Sequence, residues 1–194
     1  HCAIGDPPCA DWAQDHTCPP VVRQTRTGMK HDRIPPEIWR EARAAYYGLV
    51  TQIDYNLGRV FAALQDMNIY EDTLILFTSD HGEMLGDHHM GGKCYFYEGS
   101  AHVPFILRPP SPREHSEHGT TIDAPVTHAD ILPTLLDAAG GTPPAEADGA
   151  NLLSWLSTVE GRRQYVVGVG GANVRQAAIT DGRWKYLWFA QGGV

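Results

Sequence analysis

Three side chains in the middle of this sequence have the types and spacing to work on an anion. Asp80 and His81 stand together in Ser79-Asp80-His81-Gly82-Glu83, and Lys93 follows thirteen residues after Asp80, between Gly91-Gly92 and Cys94-Tyr95. The Asp supplies a hard anionic oxygen and the His a neutral nitrogen, so the pair can face one cation, while Gly82 lets the chain turn sharply behind them. A Lys on a flexible glycine hinge can bring a point charge over an anionic group. Each also has a plainer reading taken singly: a loop cap with a surface polar group for the pair, a solvated surface charge for the lysine.

The elements around these residues decide where they point. Thr73-Leu74-Ile75-Leu76-Phe77-Thr78-Ser79 is a continuous apolar, β-preferring run, which predicts a strand buried on both faces, as in a parallel sheet covered by helices. Asp80 and His81 then emerge at its C-terminal end, where open α/β sheets place their ligands. Upstream, Ile38, Ala42, Ala45, Leu49, Ile53, Leu57, Val60, Phe61 and Leu64 recur every three or four residues, predicting a long amphipathic helix over about Pro36 to Met67. Downstream, Val103 to Arg108 predicts a short strand ended by Pro109-Pro110, with Pro104 favouring an edge or strand-start position. Thr127-His128-Ala129-Asp130 has the form of a capping box opening a helix from Ile131 to Ala139, which Gly140-Gly141 stops.

Strands alternating with helices imply an α/β layered domain over 36–140. Residues 1–35, rich in Pro, Asp and Thr without a period, read as an irregular lead-in, and the Pro/Gly-rich stretch 141–150 as a linker. Residues 151–194 read as the start of a small C-terminal α+β subdomain. It contains a short helix near Leu152 to Leu156, then Gln176 to Thr180 and Arg183 to Phe189 joined by Asp181-Gly182, a dipeptide suited to a two-residue hairpin turn.

The chain has 194 residues, 42% hydrophobic and 20% charged, a globular composition long enough for one sizeable core. Its net charge of −8, with 15 scattered Lys and Arg against 23 Asp and Glu, argues against nucleic acid as a partner, since phosphate neutralisation needs concentrated positive charge. The longest apolar runs fall far short of the roughly 20 residues that span a bilayer, so no membrane partner is expected. Cys2, Cys9 and Cys18 crowd the N-terminus at separations that fit no common zinc pattern, and Cys94 stands apart. Disulfide, free-thiol and metal readings stay open for them, and they do not reveal a compartment.

The chemistry-bearing segment is one of an ordered series. Thr78-Ser-Asp-His-Gly-Glu-Met-Leu-Gly-Asp-His88 is followed by Gly92-Lys93, Tyr97-Glu98-Gly99-Ser100 and Val103-Pro104-Phe105-Ile106. Tyr46 to Val50, Ile53-Asp54 and Gly58-Arg59 precede it; Asp130 to Gly140, Asp148-Gly149 and Trp184-Lys185-Tyr186 come after. Over about residues 36 to 188 the series resembles the sulfatases of the alkaline-phosphatase superfamily, in their C-terminal portion. The resemblance implies an alkaline-phosphatase-like α/β fold, with helices on a mostly parallel sheet, a small C-terminal antiparallel subdomain, and the N-terminal half of the fold missing from this chain.

It also implies roles. Asp80 and His81 match the family's second pair of metal ligands, His81 standing where many members carry Asn, and Lys93 matches the lysine that contacts the sulfate and stabilises the departing ester oxygen. The metal in such enzymes is usually calcium; a histidine ligand keeps magnesium, manganese and zinc in play. The implied activity is hydrolysis of sulfate esters by a metal-assisted covalent route, on a small-molecule sulfate ester or a sulfated sugar. The nucleophile, a formylglycine matured from a Cys/Ser-x-Pro-x-Arg motif, has no counterpart here: Cys18-Pro19-Pro20-Val21-Val22 keeps the Pro and lacks the Arg. The chain by itself is therefore expected to be inactive. A phosphonate or phosphate ester hydrolase of the same superfamily shares the Asp-His pair, and a noncatalytic module retaining the fold is the alternative outside enzymes. Among the remaining polar residues, His1 is a candidate remnant of an active-site histidine, and His102 lies where many members carry Arg. His88 and His89 lie between the ligand pair and the lysine, His88 as a loop-ordering residue. Glu83 reads as a partner behind the metal ligands or a structural residue, and Glu98 as a hydrogen-bonding group within its own turn.

Overall fold

The computed structural model describes residues 18–93, 95–110, 119–170 and 175–190. His1, Cys2, Cys9 and Cys94 lie outside the described residues.

The predicted irregular lead-in contains a helix, α1 (Pro20–Gly28). Pro19-Pro20 read as a breaker, but proline is tolerated in a first helical turn, where its missing N–H would have no intrahelical partner. The helix is fixed by what it buries: Val21, Val22 and Arg26 face inward, and Thr25 Oγ1 accepts a 2.7 Å hydrogen bond from the Tyr95 hydroxyl. After a 3₁₀ turn at His31–Arg33, α2 (Pro36–Asp66) begins at its proline and is closed by Met67, as the periodicity predicts. Its apolar stripe is not a packed face within the described residues, because Ile38, Leu49, Ile53 and Val60 are 47–58% exposed. The one buried residue of the helix is Trp39.

β1 (Ile75–Thr78) pairs with β2 (Phe105–Arg108) in antiparallel register, Ile75 opposite Arg108 and Thr78 opposite Phe105. Among the described residues β2 is the one neighbour of β1, and the four residues of β1 are only half-buried, so the parallel part of the predicted sheet is not assembled by these residues. Pro104 falls immediately before β2, the strand-start position a residue without an N–H can take. A single turn, α3 (Glu98–Ala101), separates the two strands near β2.

The capping box at Thr127–Asp130 is present, leading through a 3₁₀ turn into α4 (Ile131–Ala138). Asp130 has no solvent exposure; its carboxylate accepts from the Thr127 N–H at 2.8 Å and the Ala150 N–H at 2.7 Å and forms a two-point ion pair with Arg163, both contacts 2.6 Å. The 141–150 stretch thus returns to the start of α4, and a Cβ on Gly149 would lie 1.9 Å from the Ala129 carbonyl oxygen. The predicted short helix is a 3₁₀ turn at Ser154–Leu156.

The chain then forms a three-stranded antiparallel sheet, β3 (Val166–Gly170), β4 (Gln176–Thr180) and β5 (Lys185–Phe189), in that spatial order. β3 is absent from the sequence reading, since Gly168 and Gly170 weaken the strand pattern. The β4–β5 connection also differs from the predicted two-residue turn. Thr180 pairs with Lys185, leaving four connecting residues. Gly182 takes positive φ, and the Asp181 carboxylate accepts from the Arg183 and Trp184 N–H groups at 2.8 and 2.6 Å. Asp181 therefore organises a wider turn by side-chain capping.

A buried cluster of Cys18, Val21, Val22, Met84, Met90 and Tyr95, with Tyr97 and Phe189 against it, joins α1, the loop after β1 and the end of β5. The loop that carries the candidate chemistry is thus part of the core.

Candidate active site

Asp80 and His81 stand just beyond β1, and local hydrogen bonds set their orientation. The Ser79 hydroxyl donates to the His81 carbonyl at 2.7 Å, and the His81 N–H donates to Asp80 Oδ1 at 2.9 Å. That N–H, with the Lys93 charge, holds the Asp80 carboxyl below its ordinary range against a smaller desolvation effect. A second histidine joins the strand end: His128 Nε2 donates to the Ser79 carbonyl at 2.8 Å, tying the capping-box turn to β1. The sequence reading placed His128 only in the cap.

The His81 ring has one consistent tautomer. Nδ1 lies 2.8 Å from the Gly82 carbonyl, which only accepts, so Nδ1 carries the proton. Nε2 is then an acceptor, and the Lys93 ammonium donates to it at 2.7 Å. Backbone anchoring of one ring nitrogen with the other left as a lone-pair donor is the usual preparation of a metal-ligating histidine. Asp80 Oδ2 stands 3.4 Å from the same Nε2. Neighbouring donors on one cation stand roughly 3 Å apart, given metal–donor bonds of about 2.0–2.6 Å. The pair therefore fits a divalent cation as part of a coordination shell; among the described residues no third His, Cys, Asp or Glu joins it.

The strand-end geometry depends on close backbone packing. Gly82 donates to the Ser100 carbonyl at 2.8 Å, and a Cβ at Gly82 would lie 2.2 Å from the Gly99 carbonyl oxygen. This close approach, rather than a positive φ, explains the glycine.

The glycine hinge before Lys93 is tied down. The Gly92 N–H donates to Glu83 Oε1 at 2.5 Å, its carbonyl accepts from Met84 at 2.9 Å, and it adopts φ +78°. The Gly91 N–H donates to His31 Nδ1 at 3.3 Å. Between the ligand pair and the lysine, Leu85, His88 and His89 all take positive φ, a sparsely populated conformation for residues with side chains. Arg43 of α2 restrains this segment, its Nε donating to the Leu85 carbonyl at 2.8 Å and its Nη2 meeting Asp87 Oδ1 at 2.5 Å. His88 stacks on Tyr97, with ring centroids 4.1 Å apart, in keeping with a loop-ordering role. Burial, then the Arg26 and His88 charges, hold His89 below its ordinary value. Glu98 bonds within its turn to His102 Nδ1 at 2.9 Å, and also reaches Lys185 on β5, a contact the sequence does not announce.

A strand-end Asp-His pair facing a lysine, on this α/β framework, belongs with a known class of proteins. The chain belongs to the sulfatase family, whose profile matches residues 3–141. An arylsulfatase of Clostridium perfringens is 35% identical over 162 residues, covering 79% of this chain and 32% of its own length. The crystal structure of a phosphonate monoester hydrolase of Agrobacterium radiobacter superposes with TM-score 0.71 at 36% identity, over 80% of this chain and 34% of that one. The structure of BT4656 in complex with its substrate D-glucosamine-2-N,6-O-disulfate superposes with TM-score 0.67 at 28% identity, over 73% of this chain and 30% of that one. The chain thus has the α/β fold of the alkaline-phosphatase-like enzymes and spans about a third of the length of these relatives. Members of the family generally work with a metal ion and a formylglycine.

Proposed function

We propose that this chain supplies one wall of the active site of a sulfuric ester hydrolase of the arylsulfatase type, in which Asp80 and His81 hold a divalent cation and Lys93 faces the sulfate. One observation carries the reading: in a chain of the sulfatase family, Lys93 Nζ lies 2.7 Å from His81 Nε2, so the lysine and the proposed metal ligands share one site. The cation, calcium by family resemblance and with magnesium, manganese or zinc compatible with a histidine ligand, supplies positive charge against the ester's oxygens.

The chain's own residues do the rest of the work assigned to them. The His81 N–H keeps Asp80 ionised and turned toward the ring, and the Gly82 carbonyl keeps the His81 proton on Nδ1. Lys93, a compact ammonium with several donors, stabilises the negative charge that gathers on the departing alcohol oxygen. The covalent nucleophile lies outside these residues, since no Cys/Ser-x-Pro-x-Arg motif occurs in the sequence. A small sulfate ester or a sulfated sugar is the proposed substrate class, the latter supported by the disulfated glucosamine bound by BT4656.

The test is turnover of an aryl sulfate ester by the full-length enzyme. Lys93→Ala should lower kcat by about 10²–10³, as loss of one charge-stabilising donor does, and Asp80→Ala should weaken metal binding and activity together. Undiminished activity in both variants would sink the assignment. These 194 residues alone should show no metal-dependent turnover. A second reading, phosphonate or phosphate ester hydrolysis, is favoured by the Agrobacterium radiobacter likeness and by the Asp-His pair. Parallel rates on sulfate, phosphate and phosphonate esters separate the two.

A further inference from the structure

Lys93 has a four-carbon stem with free rotation, so its charge is well aimed only if its backbone is fixed. Two glycines precede it, the residues that fix a backbone least, yet both of their amides are held by side chains. Glu83, two residues past His81, takes the Gly92 N–H at 2.5 Å and approaches the Leu85 N–H at 3.4 Å. His31, from the turn between α1 and α2, takes the Gly91 N–H at 3.3 Å on Nδ1. Behind Gly91 lies the Trp39 ring, which a Cβ at that position would meet at 2.9 Å. The His31 and Trp39 rings meet edge to face, centroids 6.0 Å apart. The Trp39 indole nitrogen is buried without a hydrogen-bond partner among the described residues, so its contribution here is shape.

We infer that His31 and Glu83 are a pair of positioning residues for Lys93, clamping the Gly91 and Gly92 amides so that the ammonium is held beside the His81 ring and over the anion. The two grips come from opposite directions: Glu83 belongs to the loop carrying the metal ligands, and His31 to a segment sixty residues away in sequence. Each is a hydrogen-bond acceptor, and that property rather than its volume is what the clamp requires. The inference rests on the reading of Lys93 as the sulfate-facing lysine.

The experiment uses the full-length enzyme with His31→Phe, His31→Asn, Glu83→Ala and Glu83→Gln, each also combined with Lys93→Ala. Asn and Gln retain an acceptor oxygen near the original position; Phe and Ala do not. With an aryl sulfate ester, the two acceptor-less variants should lose about 10–100-fold in kcat with KM little changed, and the acceptor-retaining ones should recover most of it. In the Lys93→Ala background the same changes should cost nothing further. Losses that multiply with Lys93→Ala, or that Asn and Gln do not rescue, overturn the clamp in favour of a general structural role. A readout independent of turnover is the reductive methylation rate of Lys93, followed by mass spectrometry. It should rise about threefold or more in either acceptor-less variant as the hinge opens locally; an unchanged rate overturns the clamp by itself. If the wild-type enzyme turns over no ester, the reading of Lys93 in catalysis fails, and the methylation rates still decide the clamp.

Discussion

At the residue scale, Asp130 shows how much one carboxylate can organise. It is fully buried, accepts two backbone N–H groups and meets both terminal guanidinium nitrogens of Arg163. Removing one partner of a buried, hydrogen-bonded ion pair leaves an uncompensated group and costs about 3–5 kcal/mol. Asp130→Ala should destabilise by that order in urea unfolding, and a loss under about 1 kcal/mol would contradict the structure. Asp80, His81 and Lys93 of the proposed site were singled out at this scale from their types, their spacing and the order of flanking motifs, and the structure brings the three side chains together. His31 was not, because a hydrogen bond to Gly91 across sixty residues leaves no periodic or local trace. Asp130 was legible as a cap, while its bond to Arg163 was not.

At the element scale, legibility followed the strength of local signals. α2 was found to within a residue because a proline start and a sustained 3.6 period act together, and β2 because Pro104 marks its beginning. α1 was missed because its prolines resemble a break and nine residues give little periodicity. Strand β3 was missed because Val166 to Gly170 carries two glycines whose reason lies elsewhere in the chain: a Cβ at Gly168 would come within 2.7 Å of the Phe96 ring. The sheet seats that ring where a side chain would otherwise stand. Gly168→Val should therefore destabilise by about 1–3 kcal/mol through overpacking, despite valine's better strand preference. A stabilised variant in thermal unfolding would show that the ring yields freely.

At the scale of the whole molecule, the C-terminal sheet is linked by charge to α3, which follows the candidate active-site loop. Glu98 bonds both Lys185 on β5 and His102. Burial alone would push its carboxyl up; the Lys185 hydrogen bond and charge, with His102, outweigh it and hold the group below its ordinary range. A depressed carboxyl contributes stability that is fully present above its unfolded value, about 4.3, and is lost as pH falls through the lower folded value. The difference in urea midpoint between wild type and Glu98→Gln should thus be constant near neutrality and shrink progressively as pH falls below about 4.3. A gap that does not shrink as the solution is acidified would place the attachment in packing alone.

The return of the chain to Asp130 also bears on how the molecule comes apart. Residues 141–146 are mostly exposed, which makes this stretch the natural point of attack for a protease. Yet the downstream piece would still be fastened upstream through Ala150 and Arg163, both held by the same buried carboxylate. A nicked molecule should run as two bands under denaturing conditions and as one species in native sizing. Asp130→Ala should loosen that attachment and raise the fraction of separated halves, leaving the Glu98–Lys185 pair and the Phe96 ring against β3 as the remaining fastenings across the cut backbone.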